Sequence, residues 1–146
     1  MLIQLLSKDV PRYWEVIKFA CAAVDEVDDA QKPAYLRDLL CALLSEKAQC
    51  WVRFDENKEL TLIYVTRILY NAQYDEKYLY IQAGYSWKRL GQEAWNGFRD
   101  LMIAFAKKEG CSYIGHMSRN PRIWELALGA GFKESTRIFA YRIPKG

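Results

Sequence analysis

The chain has 146 residues, 51% of them hydrophobic and 27% charged, the makeup of one ordered domain with a core of its own. Twenty-one Lys and Arg against eighteen Asp and Glu leave a net charge of +3, too mild for a protein built to hold nucleic acid. No apolar run approaches the ~20 residues of a membrane span, and the opening MLIQLLSKDVPRYW meets charge too early for a secretory leader. A soluble, intracellular single domain over residues 1–146 is expected.

In chain order, residues 2–6 read as a short strand. Ser7 or Asp9 is placed to cap the following helix, with Pro11 in its first turn, where a missing N–H costs nothing. Val10, Trp14, Ile17, Cys21 and Val24 recur at helical spacing, and the acidic stretch 25–29 breaks the pattern. A second helix is expected over 33–47, with Leu36, Leu39, Leu40, Leu43 and Leu44 as its stripe. The period then changes to that of strands: 50–54, 60–69 and 78–84 form a three-strand meander joined by polar turns.

Ser86 is expected to cap a long helix with Leu90, Ala94, Phe98, Leu101, Met102 and Phe105 on its inner face, stopped by Gly110. Residues 112–118 read as a strand. Asn120 caps and Pro121 opens a short helix carrying Ile123, Trp124, Ala127 and Leu128, and residues 137–143 (RIFAYRI) close the chain as a strand. The long helix between strands 78–84 and 112–118 permits a right-handed crossover, so these two should be parallel neighbours.

The four cysteines, Cys21, Cys41, Cys50 and Cys111, are scattered without CxxC or zinc spacing, and one histidine is too few for a conventional His/Cys metal site. Reduced and mostly buried thiols are expected, and no metal. Six Phe, five Trp and ten Tyr supply core volume, with some free to line a groove.

This order, with two C-terminal motifs, resembles the GNAT superfamily of acyl-CoA-dependent N-acetyltransferases. The stronger motif is the 120–132 segment NPRIWELALGAGF, in which Asn120, Ile123, Gly131 and Phe132 fall at the family's offsets. The weaker is the 87–95 segment WKRLGQEAW, at the place of a Gln/Arg-x-x-Gly-x-Gly/Ala loop whose backbone N–H groups receive the coenzyme A diphosphate. One register sets Lys88 and Gly91 on that motif but leaves Glu93 where a small residue belongs. The other aligns Arg89 and Ala94 but puts Gln92 on the middle glycine. The second keeps the helix's apolar residues in phase and is preferred. A further likeness, FRDLM at 98–102 with the later segment, is to GNAT-like proteins of some short-tailed phages.

The resemblance implies an α+β (α/β mixed) fold: a mixed, mostly antiparallel sheet of about six to seven strands with a splayed parallel pair, flanked by about four helices. It implies transfer of an acetyl group from acetyl-CoA to an amine by direct attack. Lys88, Arg89, Leu90, Gly91, Gln92, Glu93, Ala94 and Asn120 would bind the cofactor, weakly because Glu93 repels phosphate. Ala83 or Gly84 would supply an N–H to the thioester carbonyl, and His116 would act as base. Ala127 stands where the family often carries a proton-donating Tyr. That departure favours the alternative, a catalytically impaired GNAT-like protein that binds another protein. The expected partner is an amine acceptor, small molecule or protein, with a second copy of the chain as another candidate; membrane and nucleic acid are not expected. The expected location is the cytoplasm, or the virion or host cytoplasm for a phage-encoded chain.

Overall fold

A computed structural model describes residues 2–145. In chain order they form β1 (Leu2–Gln4), a 3-10 turn (Ser7–Asp9), α1 (Val10–Asp25), α2 (Lys32–Leu44), β2 (Ala48–Phe54), β3 (Leu60–Asn71), β4 (Glu76–Ser86), α3 (Gln92–Lys108), β5 (Tyr113–His116) and α4 (Pro121–Gly129). The strands make one sheet in sequential order, antiparallel except for the parallel pair β4–β5. The meander and the crossover through α3 are therefore as the periodicity requires.

Each face of the sheet carries its own core. On one side Ile17, Ala20 and Cys21 of α1 and Leu39 and Leu43 of α2 pack against Cys50, Val52, Ile63, Val65 and Ala83. On the other, Phe98, Met102 and Ala106 of α3 cover Trp51, Leu62, Tyr64, Leu79 and Ile81. The indole N–H of Trp51 donates to the Thr66 hydroxyl (3.0 Å), which donates to Gln49 Oε1 (2.9 Å), so these three buried polar side chains satisfy one another. No helix among the described residues is long and apolar enough to cross a membrane.

Several expectations need correction. The sheet has five strands instead of six to seven, because residues 137–143 join no strand. Their alternation is real, but a strand exists only where an edge accepts it. Ser86 does not cap α3. It ends β4, and its hydroxyl bonds within the 86–88 turn, while the helix begins at Gln92 behind Gly91. The phase of α4 differs too: Leu126 is buried, whereas Trp124 and Leu128 are 50% and 58% exposed. In a nine-residue helix one position of phase error rotates the whole stripe by ~100°. Val24 and Leu44, assigned to inner faces, lie at helix ends and are exposed. Of the four free thiols, Cys21 and Cys50 are buried, Cys111 is half-buried and Cys41 is exposed.

Two local features follow the sequence closely. Asn120 caps α4, its side-chain oxygen accepting from Arg122 N at 3.0 Å. Gly110 and Gly131 both take positive φ, 75° and 91°, just past α3 and α4. Asn120→Ala should destabilise the fold by about 1 kcal/mol and lower Tm by about 2–4 °C in a thermal melt. Gly84 is the tightest position in the sheet. A Cβ there would lie 2.4 Å and 2.6 Å from ring atoms of Tyr64, whose own retreat is blocked by Phe98, stacked on it at 3.8 Å. Gly84→Ala should cost about 1–3 kcal/mol in urea unfolding. A loss below about 0.5 kcal/mol would mean that the Tyr64–Phe98 pair yields freely.

Candidate active site

The site is set by where β4 and β5 part. Their register runs Tyr78–Tyr113, Leu79–Ile114, Tyr80–Gly115 and Ile81–His116, and there it stops. β4 continues to Ser86, still paired to β3 on its other side. The departure coincides with a bulge: Val65 pairs with Ala83 and Thr66 with Ile81, so Gln82 is the extra residue. Across the bulge the side-chain alternation inverts. Leu79 and Ile81 point to the α3 layer, Ala83 to the α1–α2 layer, and Gly84 to the α3 layer against Tyr64.

Gln82 is anchored by three side chains. Its carbonyl accepts from Arg67 Nε, and its amide donates to the Tyr35 hydroxyl (3.1 Å) and Asp25 (3.4 Å). Tyr35 in turn donates to Asp25, and Arg67 also reaches Asp38 at 2.8 Å. Burial, then the bond to Asp25, pushes the Tyr35 phenol well above its ordinary range, so it stays protonated.

Ala83 and Gly84, the expected carbonyl donors, lie immediately past the bulge. In an antiparallel ladder successive N–H groups alternate in direction, so one of the two points to β3 and the other to the side β5 has vacated. His116 stands at the last paired position. Its Nδ1 lies 3.1 Å from the Ile81 carbonyl, an oxygen that only accepts, so Nδ1 carries the proton and Nε2 keeps its lone pair. Burial holds the His116 pKa below the usual value, with the Ile81 bond partly opposing, so the ring is neutral near pH 7. The chain thus places a neutral imidazole at the point where the parallel pair ends, opposite Ile81 and just before Ala83 and Gly84 on β4. Glu76, by contrast, begins β4 at the far end of the parallel pair.

The remaining expected site residues form the connection 87–91 and the first turn of α3. Lys88 and Arg89 are exposed; Lys88 Nζ lies 3.9 Å from Asp55. Leu90 packs beneath the loop against both cores on the α3 side. Gly91 occupies the N-cap with extended backbone (φ −93°, ψ 176°) and open space around its Cα, and no side chain caps the helix. The early N–H groups of Gln92, Glu93 and Ala94 therefore face away from any intrahelical partner. Glu93 is exposed in this first turn, where its carboxylate suits the helix dipole and opposes a bound anion. Gln92 reaches across to α4, donating to the Leu126 carbonyl at 3.0 Å, so it positions α4 instead of lining the loop. Asn120 is occupied with capping α4.

Sequence reasoning missed Trp95. It is 3% exposed and sits between α3, α4 and the end of β5, with ring centroids 6.0 Å from His116, 6.4 Å from Phe98 and 6.2 Å from Phe132. Its indole N–H is buried without a protein acceptor, the one such side-chain atom among the described residues. The spacing 95, 98, 102, 106 was the signal available, since the helix buries these four most deeply. Tyr64 was missed too, because only the fold brings it beneath Gly84.

No known family's sequence pattern matches the chain, and no curated protein matches it in sequence. Solved structures do match in shape. An aminoglycoside 6'-N-acetyltransferase from Acinetobacter baumannii superposes with a TM-score of 0.72 at 9% identity, covering 100% of this chain and 99% of that one. A ribosomal-protein-alanine N-acetyltransferase from Brucella melitensis biovar Abortus 2308 gives 0.67 at 12% identity, covering 98% and 99%. An aminoglycoside acetyltransferase from an uncultured soil metagenomic sample, solved with sisomicin, gives 0.68 at 17% identity, covering 99% and 96%. At such identities the likeness speaks for architecture over nearly the full length of each chain, and the architecture of this protein is the GNAT fold that those proteins share.

Proposed function

We propose that the protein is an N-acetyltransferase that takes the acetyl group of acetyl-CoA to an amine. The observation that carries this reading is the opening past Ile81 and His116, where a neutral histidine, a strand backbone free on one side and an uncapped helix start converge. The residues present fit the cofactor. Two sets of donors lack protein acceptors there: the first-turn N–H groups of α3, which suit a diphosphate, and the Trp95 indole N–H, which suits an amide oxygen of the pantetheine arm.

When bound, acetyl-CoA supplies an acetyl group already activated as a thioester. The open N–H of Ala83 or Gly84 would donate to the thioester oxygen, from a backbone position that needs no reorganisation. His116 lies on the α3 side of the sheet beside Trp95, so its Nε2 would take the proton of the incoming ammonium through water in the gap between the strands, while Ile81 fixes the ring. Ala127 has no proton to give, so protonation of the leaving thiol would fall to solvent or to another hydroxyl. Lys88 and Arg89 supply the positive charge at the loop, partly cancelled by Glu93. The acceptor meets the side walled by α1, α2 and the Gln82 cluster, where Asp25 and Asp38 favour a cationic amine.

Three outcomes test this. Isothermal titration should detect coenzyme A binding, and Glu93→Gln should tighten it about threefold, the size of one exposed like charge near a helix start. Gly91→Asp provides its own folding control. An aspartate fits the open N-cap and satisfies the same N–H groups, so stability should hold or rise by a few tenths of a kcal/mol while coenzyme A binding is lost. Unchanged affinity in both variants would remove the loop from the site.

The third outcome concerns pH. Because the folded-state pKa of His116 is lowered, protonation favours the unfolded chain. Its contribution to stability is complete above about pH 6.5 and is lost as pH falls through the folded pKa. The acetylation rate should likewise fall on an acid limb centred below pH 6.5. His116→Gln should lower kcat/KM and abolish that limb; an unaltered profile in a folded variant would exclude His116 as base.

A further inference from the structure

The helices cover the α1–α2 face of the sheet unevenly. α1 packs on β3 and β4 and α2 on β2, which leaves the β5 end of that face without a packed helix among the described residues. Ahead of its bulge β4 turns Leu79 and Ile81 to the α3 core, so Tyr78 and Tyr80 lie on the opposite face. Tyr113 and Gly115 of β5 share that face, because Ile114 between them packs on the α3 side. Tyr78, Tyr80 and Tyr113 belong to neither of the two main cores.

Two cross-strand rows run over this surface: Leu69, Tyr78 and Tyr113 in one, Arg67, Tyr80 and Gly115 in the next. In the first row the Tyr78 and Tyr113 rings stack, with centroids 4.8 Å apart and planes 4° from parallel. In the second row the residue beside Tyr80 is a glycine, so the place that a ring fills in the first row holds no side chain. A Cβ on Gly115 would lie 3.4 Å from the Tyr78 ring and 3.7 Å from the Tyr113 ring, so these two rings wall one end of the slot.

The other end is acidic. Gln82 follows Tyr80 on the same face, about 7 Å along the strand, and its amide donates to Asp25. Tyr35 donates to the same carboxylate. Both partners are neutral, so the Asp25 charge stays uncancelled. Arg67, the cation of this row, is already engaged by Gln82 through Nε and by Asp38 through Nη2 at 2.8 Å. Glu26 and Arg119, exposed and 3.8 Å apart, complete the charged rim. Burial, then the charge of Asp25, raises the Tyr80 phenol above its ordinary range, which agrees with a carboxylate facing that ring.

We propose that this slot receives the acceptor, and that the acceptor is a primary amine carried on a flat apolar ring: the ammonium meets Asp25 and the ring stacks on Tyr80 above Gly115. The inference rests on the acetyl-transfer reading, since the acidic end of the slot lies at the bulge where β4 and β5 part. The uncancelled carboxylate selects a cation, and a ring against Tyr80 repeats the stacking that Tyr113 makes on Tyr78. A two-carbon link between nitrogen and ring suits the about 7 Å from Gln82 to Tyr80.

Titrating the full chain without cofactor, followed by the NMR signals of its tyrosine rings, tests the assignment. 2-Phenylethylamine should bind about tenfold more tightly than n-butylamine, and phenylacetate, the same ring with the opposite charge, should not compete. Tyr80→Ala and Gly115→Ala should each remove most of that preference while n-butylamine binds within about twofold of its wild-type affinity. Asp25→Asn should weaken both amines about tenfold. The Cβ of Gly115→Ala meets only ordinary contacts, so this variant decides if Tyr80→Ala does not fold. Equal affinity for the two amines, spermidine binding more tightly than 2-phenylethylamine, or a preference that survives both variants overturns the proposal. A parallel coenzyme A titration separates the two readings. A chain that takes the ring amine but no coenzyme A keeps the slot and loses the transfer; one that takes coenzyme A but no ring amine loses the slot alone.

Discussion

The site depends on one extra residue in β4. Without the bulge at Gln82, residues 79, 81 and 83 would share a face, and β4 would continue beside β5 with its pleat in phase. With it, Ala83 turns to the α1–α2 core, and the α3 side receives a glycine at 84, close enough to Tyr64 that no side chain fits. A bulge raises twist and ends pairing locally, which is how two parallel strands come to separate within one sheet. Its position is held by side chains distant in sequence: Tyr35 from α2, Asp25 from α1 and Arg67 from β3 all bond to Gln82.

Around this opening the electrostatics are sparing. The site holds neither a carboxylate base nor a metal cluster among the described residues, and its one titratable group of the neutral range, His116, is kept uncharged by burial and oriented by a backbone carbonyl. Positive potential comes from the α3 start and the exposed Lys88 and Arg89, with Glu93 set against them. A buried unpaired indole N–H costs on the order of 1–3 kcal/mol, so Trp95 is a polar group whose cost an acceptor in the site would remove.

How much was legible in the chain follows from the range of the interactions. The α4 cap and glycine stops were readable because Asn120, Pro121, Gly110 and Gly131 act within a few residues of themselves. The meander was readable because its turns are short and its strands alternate. Ser86 misled because a serine before a helix is a cap only if the helix starts there; here the Ser86 hydroxyl closes a turn inside the loop. Trp124 and Leu128 misled because a nine-residue helix has too few turns to reveal its phase.

Element order, the crossover that makes β4 and β5 parallel, and the identity of the short-range caps were determined by the sequence alone, since local propensity and chain connectivity suffice for them. The place where the parallel pair ends, the descent of Trp95 to His116 and the exclusion of residues 137–143 from the sheet were decided only in three dimensions. Each requires residues from several elements to meet at one point, and burial, strand register and free edges are properties of that meeting and of no single segment.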